Sequence, residues 1–237
     1  MSKHVLVTGF QPFDDFKVNP SEMLVRGLEG RLISGRLVVG RVLPAESRTL
    51  EQRLREILAE EKPEVIIGTG LAAGRPALAL ERIAINLVDH DRPDAVGTVR
   101  RGDPIHRGGP EARLATLPLD AIKAAWDAQA VPGYVSNTAG TYLCNQMLYT
   151  ALGLVNELTP PPVCGFIHLP ALPSQAVELG PERTPSMTVE TMKKGLEVAI
   201  DVIVPWLEQK PAERLGARRQ TAANSMWIPR GLKEVER

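Results

Sequence analysis

The 237-residue chain balances 28 Lys plus Arg against 28 Asp plus Glu, so no overall charge draws it to nucleic acid or to an anionic membrane. Hydrophobic residues make up 43% and charged residues 24%, the proportions of a soluble globular chain, and the length suits one substantial domain. The apolar run Val5-Leu6-Val7 behind Met1-Ser2-Lys3-His4 is too short for a signal-peptide core, and charges interrupt every candidate membrane span. With two cysteines, Cys144 and Cys164, a cytoplasmic chain with reduced thiols is expected.

Residues 4–8 have strand length and stop at Gly9. The loop that follows holds Phe10, Phe13 and Phe16, three of the chain's four Phe residues. Asn19-Pro20-Ser21-Glu22 then opens a helix to about Leu28: Asn caps, Pro fits the first position, and Glu22 is placed for a capping box. A second strand is expected over residues 36–43, and a helix over 46–60 with Leu50, Leu54, Ile57 and Leu58 on one face. Residues 64–68 read as a buried parallel strand, with Gly68-Thr69-Gly70-Leu71-Ala72-Ala73-Gly74 as a tight turn at its end. Residues 78–88 are extended in part, and residues 90–110 form a long loop rich in Gly, Pro and charge.

Further on, residues 120–130 predict a helix, 134–136 a short strand, and 141–158 a helix interrupted near Gly153. Residues 163–169 predict a strand and 188–207 a long helix with Pro205 near its end. Alternating strands and helices make this an α/β chain: a single domain, residues 1–208, with a twisted, mostly parallel sheet flanked by helices. Residues 209–237 read as a polar, basic tail.

The segment Ser136-Asn137-Thr138-Ala139-Gly140-Thr141-Tyr142-Leu143-Cys144-Asn145 passes from a strand through a small-residue turn into a helix. A thiol in the first helical turn meets the positive end of the macrodipole and unpaired N–H groups, which lower its pKa and can hold an oxyanion. The alternative is a small buried hydrophobe. His168, at the end of the predicted strand 163–169, is the best-placed base; His4 sits at the wrong end of its strand, and His90 and His106 lie in the long loop. Glu81 is a carboxylate inside an apolar segment. Its partner is either His168, completing a triad, or the adjacent Arg82.

Cys144, Cys164 and His168 make a thin set for zinc, with no CxxC and no paired histidines. The glycine-rich run 68–74 lacks the long helix of a dinucleotide loop, since Pro76 intervenes. Phe10 and Phe13 either wall a small-ligand pocket or plug the sheet edge.

Together these segments resemble one family, pyrrolidone carboxyl peptidase or pyroglutamyl peptidase type I. The resemblance runs from about His4 to Trp206. It is carried by Val7-Thr8-Gly9-Phe10-Gln11-Pro12-Phe13 with Asn19-Pro20-Ser21, by Gly74-Arg75 through Glu81-Arg82-Ile83-Ala84 to Gly97, and by the Cys144 segment with Gly165-Phe166-Ile167-His168-Leu169-Pro170. It implies a phosphorylase/hydrolase-like fold and a thiol exopeptidase acting on peptides with an N-terminal pyroglutamate. It implies a Cys144, His168 and Glu81 triad, no metal or organic cofactor, and a homotetramer. It implies that Phe10 and Phe13 line the pyroglutamyl pocket and that Asn19 supports it through a hydrogen bond. Leu71, near the site, and Tyr142, two residues before the thiol, complete the candidate substrate-binding set. The chain departs from the family where Leu71 replaces Gln, Asp91 replaces Arg, and Asp14-Asp15 replaces Gly-Gly. Those departures leave open a different acyl pocket or a catalytically weak binding protein.

Overall fold

The computed structural model describes residues 3–13, 16–180 and 182–209. The expected tail, from residue 210 on, and the Asp14-Asp15 pair lie outside the described residues.

The chain order is β1 (His4–Phe10), α1 (Pro20–Leu28), β2 (Leu32–Ile33), β3 (Arg36–Leu43), α2 (Leu50–Glu61), β4 (Val65–Leu71), β5 (Leu78–Glu81), β6 (Ile83–Ile85), β7 (Ala112–Leu114), α3 (Leu119–Ala128), β8 (Gly133–Ser136), α4 (Leu143–Val155), β9 (Val163–Leu169), α5 (Pro173–Leu179) and α6 (Val189–Glu208). Among the described residues seven strands form one sheet in the order β2-β3-β1-β4-β9-β5-β8, and β6 pairs with β7 in a small ribbon. The core strands β3, β1, β4 and β9 run parallel. The β5 strand turns against β9, and β8 follows β5. The result is the mostly parallel α/β sheet that the alternation of elements predicts.

Strand alternation divides the core. Val5, Val7, Val65, Ile67, Leu78, Leu80, Ile167 and Leu169 face α1, α3 and α6. Leu6, Ile66, Cys164 and Phe166 face α2 and α4. Because both faces are covered, β1 and β4 are apolar almost throughout, which is why their runs read so plainly. On the first face the indole N–H of Trp126 donates to the Gly195 carbonyl at 2.8 Å, tying α3 to α6.

Several boundaries differ from those expected, each for a local reason. The β4 strand runs on through Gly68, Thr69, Gly70 and Leu71, paired with Phe166 to Leu169, so the predicted turn begins only after it. Gly68 and Gly70 therefore serve close approach. A Cβ on Gly68 would lie 2.5 Å from the Phe166 ring and 2.7 Å from Met147 Sδ. The α2 helix starts at Leu50 because Ser47 is drawn outward: its N–H donates to Asp94 (2.8 Å) and its carbonyl accepts from Gln146 (2.7 Å). The α4 helix passes through Gly153 unbroken, since the missing side chain there accommodates the Arg113 guanidinium.

Asn19 caps α1 as expected, but the Glu22 carboxylate takes Arg26 at 2.6 Å. Three elements had no reading in the sequence, among them the two-residue β2. The three-residue β7 is too short to show a period. The seven-residue α5, started by Pro173, is held by Gln175 accepting from the Leu172 N–H at 3.0 Å.

Filling the gap above Gly68 sets a test of this packing. Gly68→Ala should lower the unfolding free energy by roughly 1–3 kcal/mol through overpacking against the Phe166 ring. The measurement is a urea titration, with a lower midpoint at unchanged slope. An unchanged midpoint would mean that the sheet and α4 are less tightly fitted there than the distances state.

Candidate active site

The chain leaves β8 at Ser136, turns through Gly140 in the left-handed region (φ +77°), and enters α4 at Leu143. Only glycine adopts that conformation without strain. Gln146 N–H makes the first bond of α4, to the Tyr142 carbonyl at 3.0 Å. The N–H groups of Leu143, Cys144 and Asn145 precede that ladder and point out of the helix start. Cys144 Sγ lies over β4, where a Cβ on Gly70 would come within 2.6 Å of it. Gly70 is the register partner of His168 in β9. The bare backbone of Gly70 thus lets the thiol settle onto the sheet beside the histidine.

His168 Nδ1 donates to Glu81 Oε1 at 2.7 Å, which leaves Nε2 to accept a proton. Glu81 is 0% exposed. The sequence offered His168 or Arg82 as its partner, and the structure pairs it with His168, while Arg82 is exposed. A second partner was not anticipated. Arg75 Nη1 donates to the same Glu81 oxygen at 2.6 Å and contacts Ser136 Oγ at 3.2 Å, while Nη2 donates to the Thr138 carbonyl at 2.8 Å. Arg75 follows β4 by four residues and nothing in its spacing relates it to Glu81.

Burial dominates the protonation states. It pushes the Cys144 thiol up to about 12, the Glu81 charge adds to that rise, and Arg75 opposes it. The direction is opposite to the lowering that the helix start suggested in the sequence, with desolvation as the largest cause. Burial also holds the His168 imidazole below its ordinary value, against the opposing pull of Glu81, and Arg75 adds to the lowering. Cys164 is pushed up to about 12 by burial alone.

The aromatic residues arrange themselves in depth. Phe10 is 3% exposed and belongs to the core between the sheet and α2 and α4. Phe13, Tyr142 and Cys144 lie partly buried against that same cluster. The Phe13 and Tyr142 ring centres are 5.9 Å apart, and His90 meets the Tyr142 ring edge-on at 4.2 Å. The Tyr142 hydroxyl donates to the Pro93 carbonyl at 2.9 Å.

Asn19 Oδ1 accepts from the Ser21 N–H and hydroxyl at 3.0 and 2.8 Å, and its Nδ2 donates to the Gln11 carbonyl at 3.3 Å. The Ser21 hydroxyl in turn accepts from Phe10 N–H at 2.9 Å. Asn19 thus fixes the end of β1 at Phe10 and the loop after it that carries Phe13. Leu71 pairs with Leu169 at the end of β4 and alternates with Gly70, which puts the two on opposite sides of the strand. Asp91 is exposed and pairs with Arg101 on the long loop.

That loop is tied down at many points. Asp94 accepts from Ser47, Val96 and Thr98 N–H groups. Thr141 Oγ1 donates to the Asp89 carbonyl at 2.6 Å. Asn145, buried beside the thiol, accepts from Ile85 N–H and donates to the Ile85 and Leu87 carbonyls at 2.9, 2.9 and 3.0 Å. Asn145 carried a signal, since a polar residue opening an otherwise apolar helix needs partners. Among the described residues no group of three His, Cys, Asp or Glu side chains is placed to hold a metal ion.

Accessibility and protonation together predict the thiol chemistry. Iodoacetamide on the native protein should modify one cysteine, Cys144, since Cys164 is 0% exposed. The rate should climb with pH through the alkaline range, because the thiol is held protonated near neutrality. Mass spectrometry of timed samples reads both features. A plateau already reached at acid pH would instead indicate a thiolate–imidazolium pair at rest.

The family profile described as Pyroglutamyl peptidase matches residues 3–205. The pyrrolidone-carboxylate peptidase of Thermococcus kodakarensis is 40% identical over 199 residues, covering 84% of this chain and 95% of that one. That of Deinococcus radiodurans is 42% identical over 183 residues, covering 76% and 84%. Among solved structures, a mutant pyrrolidone carboxyl peptidase from Pyrococcus furiosus superposes with a TM-score of 0.83 at 38% identity, covering 86% of this chain and 99% of that one. A matched profile over most of the length, relatives near 40% identity and a shared fold carry one conclusion: the chain belongs to the pyroglutamyl peptidase family.

Proposed function

We propose that the chain removes N-terminal pyroglutamyl residues from peptides, with Cys144 as nucleophile, His168 as acid and base, and Glu81 orienting the imidazole. The observation that supports this reading most is the juxtaposition of a half-buried thiol at a helix start with a histidine held by a fully buried carboxylate, 2.7 Å from it. The pyroglutamyl ring is small and neutral and has no free α-amine. It calls for apolar walls, and Phe13 and Tyr142, packed on the same cluster as Cys144, supply them, with Phe10 as the floor.

From these groups the steps follow. His168 Nε2 takes the thiol proton as Cys144 Sγ attacks the pyroglutamyl carbonyl carbon. The tetrahedral oxyanion is met by N–H groups at the start of α4. His168 returns the proton to the departing peptide nitrogen, the carbon–nitrogen bond breaks and a thioester remains. Water, giving its proton to His168, then hydrolyses the thioester and frees Cys144. Glu81 accepts the Nδ1–H throughout and orients the imidazolium that forms twice in the cycle.

No helix among the described residues is long and apolar enough to cross a membrane. From the resemblance we also propose a cytoplasmic setting and a homotetramer. Light scattering on the purified chain reads the tetramer.

Hydrolysis of a chromogenic pyroglutamyl amide under reducing conditions tests the activity. Cys144→Ala should lower kcat by roughly 1,000-fold or more, and Phe13→Ala should act mainly on KM. The acid limb of kcat/KM should lie below the ordinary imidazole value of 6.5, since burial holds His168 down and the neutral ring is the active form. Full activity in Cys144→Ala would remove the nucleophile assignment. Turnover of other acyl amides but not of the pyroglutamyl amide would point to a different acyl pocket.

A further inference from the structure

Beyond the three proposed triad members, a guanidinium reaches the buried carboxylate of the site. We propose that Arg75 is a positioning residue for the reaction, acting through Glu81 to hold the carboxylate against His168 and clamping it to the loop that delivers Cys144. The inference rests on the triad reading.

Four contacts carry it. Arg75 and His168 share one oxygen, Glu81 Oε1, at 2.6 and 2.7 Å. Glu81 is 0% exposed, and the side chain of Arg75 is 20% exposed. An arginine does not deprotonate at any working pH, so its contact fixes the carboxylate as an acceptor. The other Glu81 oxygen is buried and has no hydrogen-bond partner among the described residues. Both compensating contacts therefore fall on Oε1, and loss of either leaves the other to hold the acid alone.

The second half of the clamp reaches the nucleophile. Arg75 contacts Ser136 Oγ at 3.2 Å and donates to the Thr138 carbonyl at 2.8 Å, at the start of the loop that ends at Cys144. Ser136 Oγ itself donates to the Thr138 carbonyl (3.1 Å) and accepts from the Thr138 N–H (3.3 Å), so the guanidinium grips a preformed turn. The Arg75 N–H donates to the Ala72 carbonyl at 2.9 Å, which seats the residue in the turn after β4. One planar side chain thus links the ends of β4, β5 and β8. A lysine would keep the charge but cannot span carboxylate, hydroxyl and carbonyl with one rigid fork.

The charged and titratable groups facing His168 are Glu81 from β5, Arg75 from the turn after β4, and Cys144 from α4 over Gly70; Phe166 on its own strand adds an aromatic edge at 4.8 Å. The sign of the effect follows. Removing the guanidinium leaves the Glu81 charge to act on the imidazole unopposed, so His168 binds its proton more tightly and becomes a usable base only at higher pH. A purely structural loss would lower the rate at every pH alike.

The experiment is a pH profile of kcat/KM for a chromogenic pyroglutamyl amide with the intact protein, Arg75→Gln and Arg75→Lys, with Cys144→Ala in parallel. Arg75→Gln should move the acid limb to higher pH and lower kcat by roughly tenfold or more, with KM little changed. Arg75→Lys should keep the limb close to its original position while kcat stays depressed, since it restores the charge without the fork. An acid limb unmoved in Arg75→Gln, or a kcat in Arg75→Lys equal to that of the intact protein, overturns the proposal. If Arg75→Gln does not fold, the Arg75→Lys profile decides. Retained activity in Cys144→Ala would instead bring down the triad reading, whatever the arginine variants do.

Discussion

A carboxylate with no exposure to water, set in a strand that is otherwise Leu-Ala-Leu, is the constraint around which the rest of the site is organised. A buried carboxylate needs partners. Here an imidazole from β9 and a guanidinium from the turn after β4 converge on one of its oxygens. That convergence requires β5 to run antiparallel to β9, with Ala79 opposite His168 and Glu81 opposite Phe166, so that the Glu81 side chain lies alongside the histidine on one face of the sheet. The reversal of β5 within a sheet otherwise built from parallel core strands has its chemical purpose here.

The same face must also receive the thiol, and two glycines make the room. The β4 strand approaches α4 at Gly68 and Gly70, where any side chain would meet Met147, Phe166 or Cys144. Close packing lets the Cys144 thiol rest on the sheet, half-buried against it. Burial consequently raises the proton affinity of Cys144 and lowers that of His168.

Much of this was legible in the chain. The strands β3 and β9 appear in the sequence with the bounds they have in the fold, because β3 alternates and β9 is a buried run ending at a proline turn. The capped start of α1 and the strand–turn–helix around Cys144 were legible for the same reason: local chemistry dictates local structure. The chain could not say whether Glu81 faces His168 or Arg82, since a neighbour in sequence and a neighbour in space make equal claims until the register of β5 against β9 is known. Arg75 was invisible for that reason. The thiol's ionisation was misjudged because a helix start is a local feature, whereas desolvation is a property of the whole packed face. The turn assigned to residues 68–74 failed because glycines signal both turns and close approach, and here close approach wins.

The first turn of α4 is fastened to chain far from it on every side. Thr141 bonds residue 89, Tyr142 bonds residue 93, Asn145 bonds residues 85 and 87, and Gln146 bonds residue 47. The Cys144 thiol is thus located by segments that lie 49 to 99 residues from the groups they bond. In machining terms these segments are a jig: they do no cutting, but the tolerance of the cut is the tolerance of the jig. Variation along them accordingly has a different currency from variation in the pocket. It is felt as a change in how often the thiol is in line with its target, and only secondarily in how tightly the target is held.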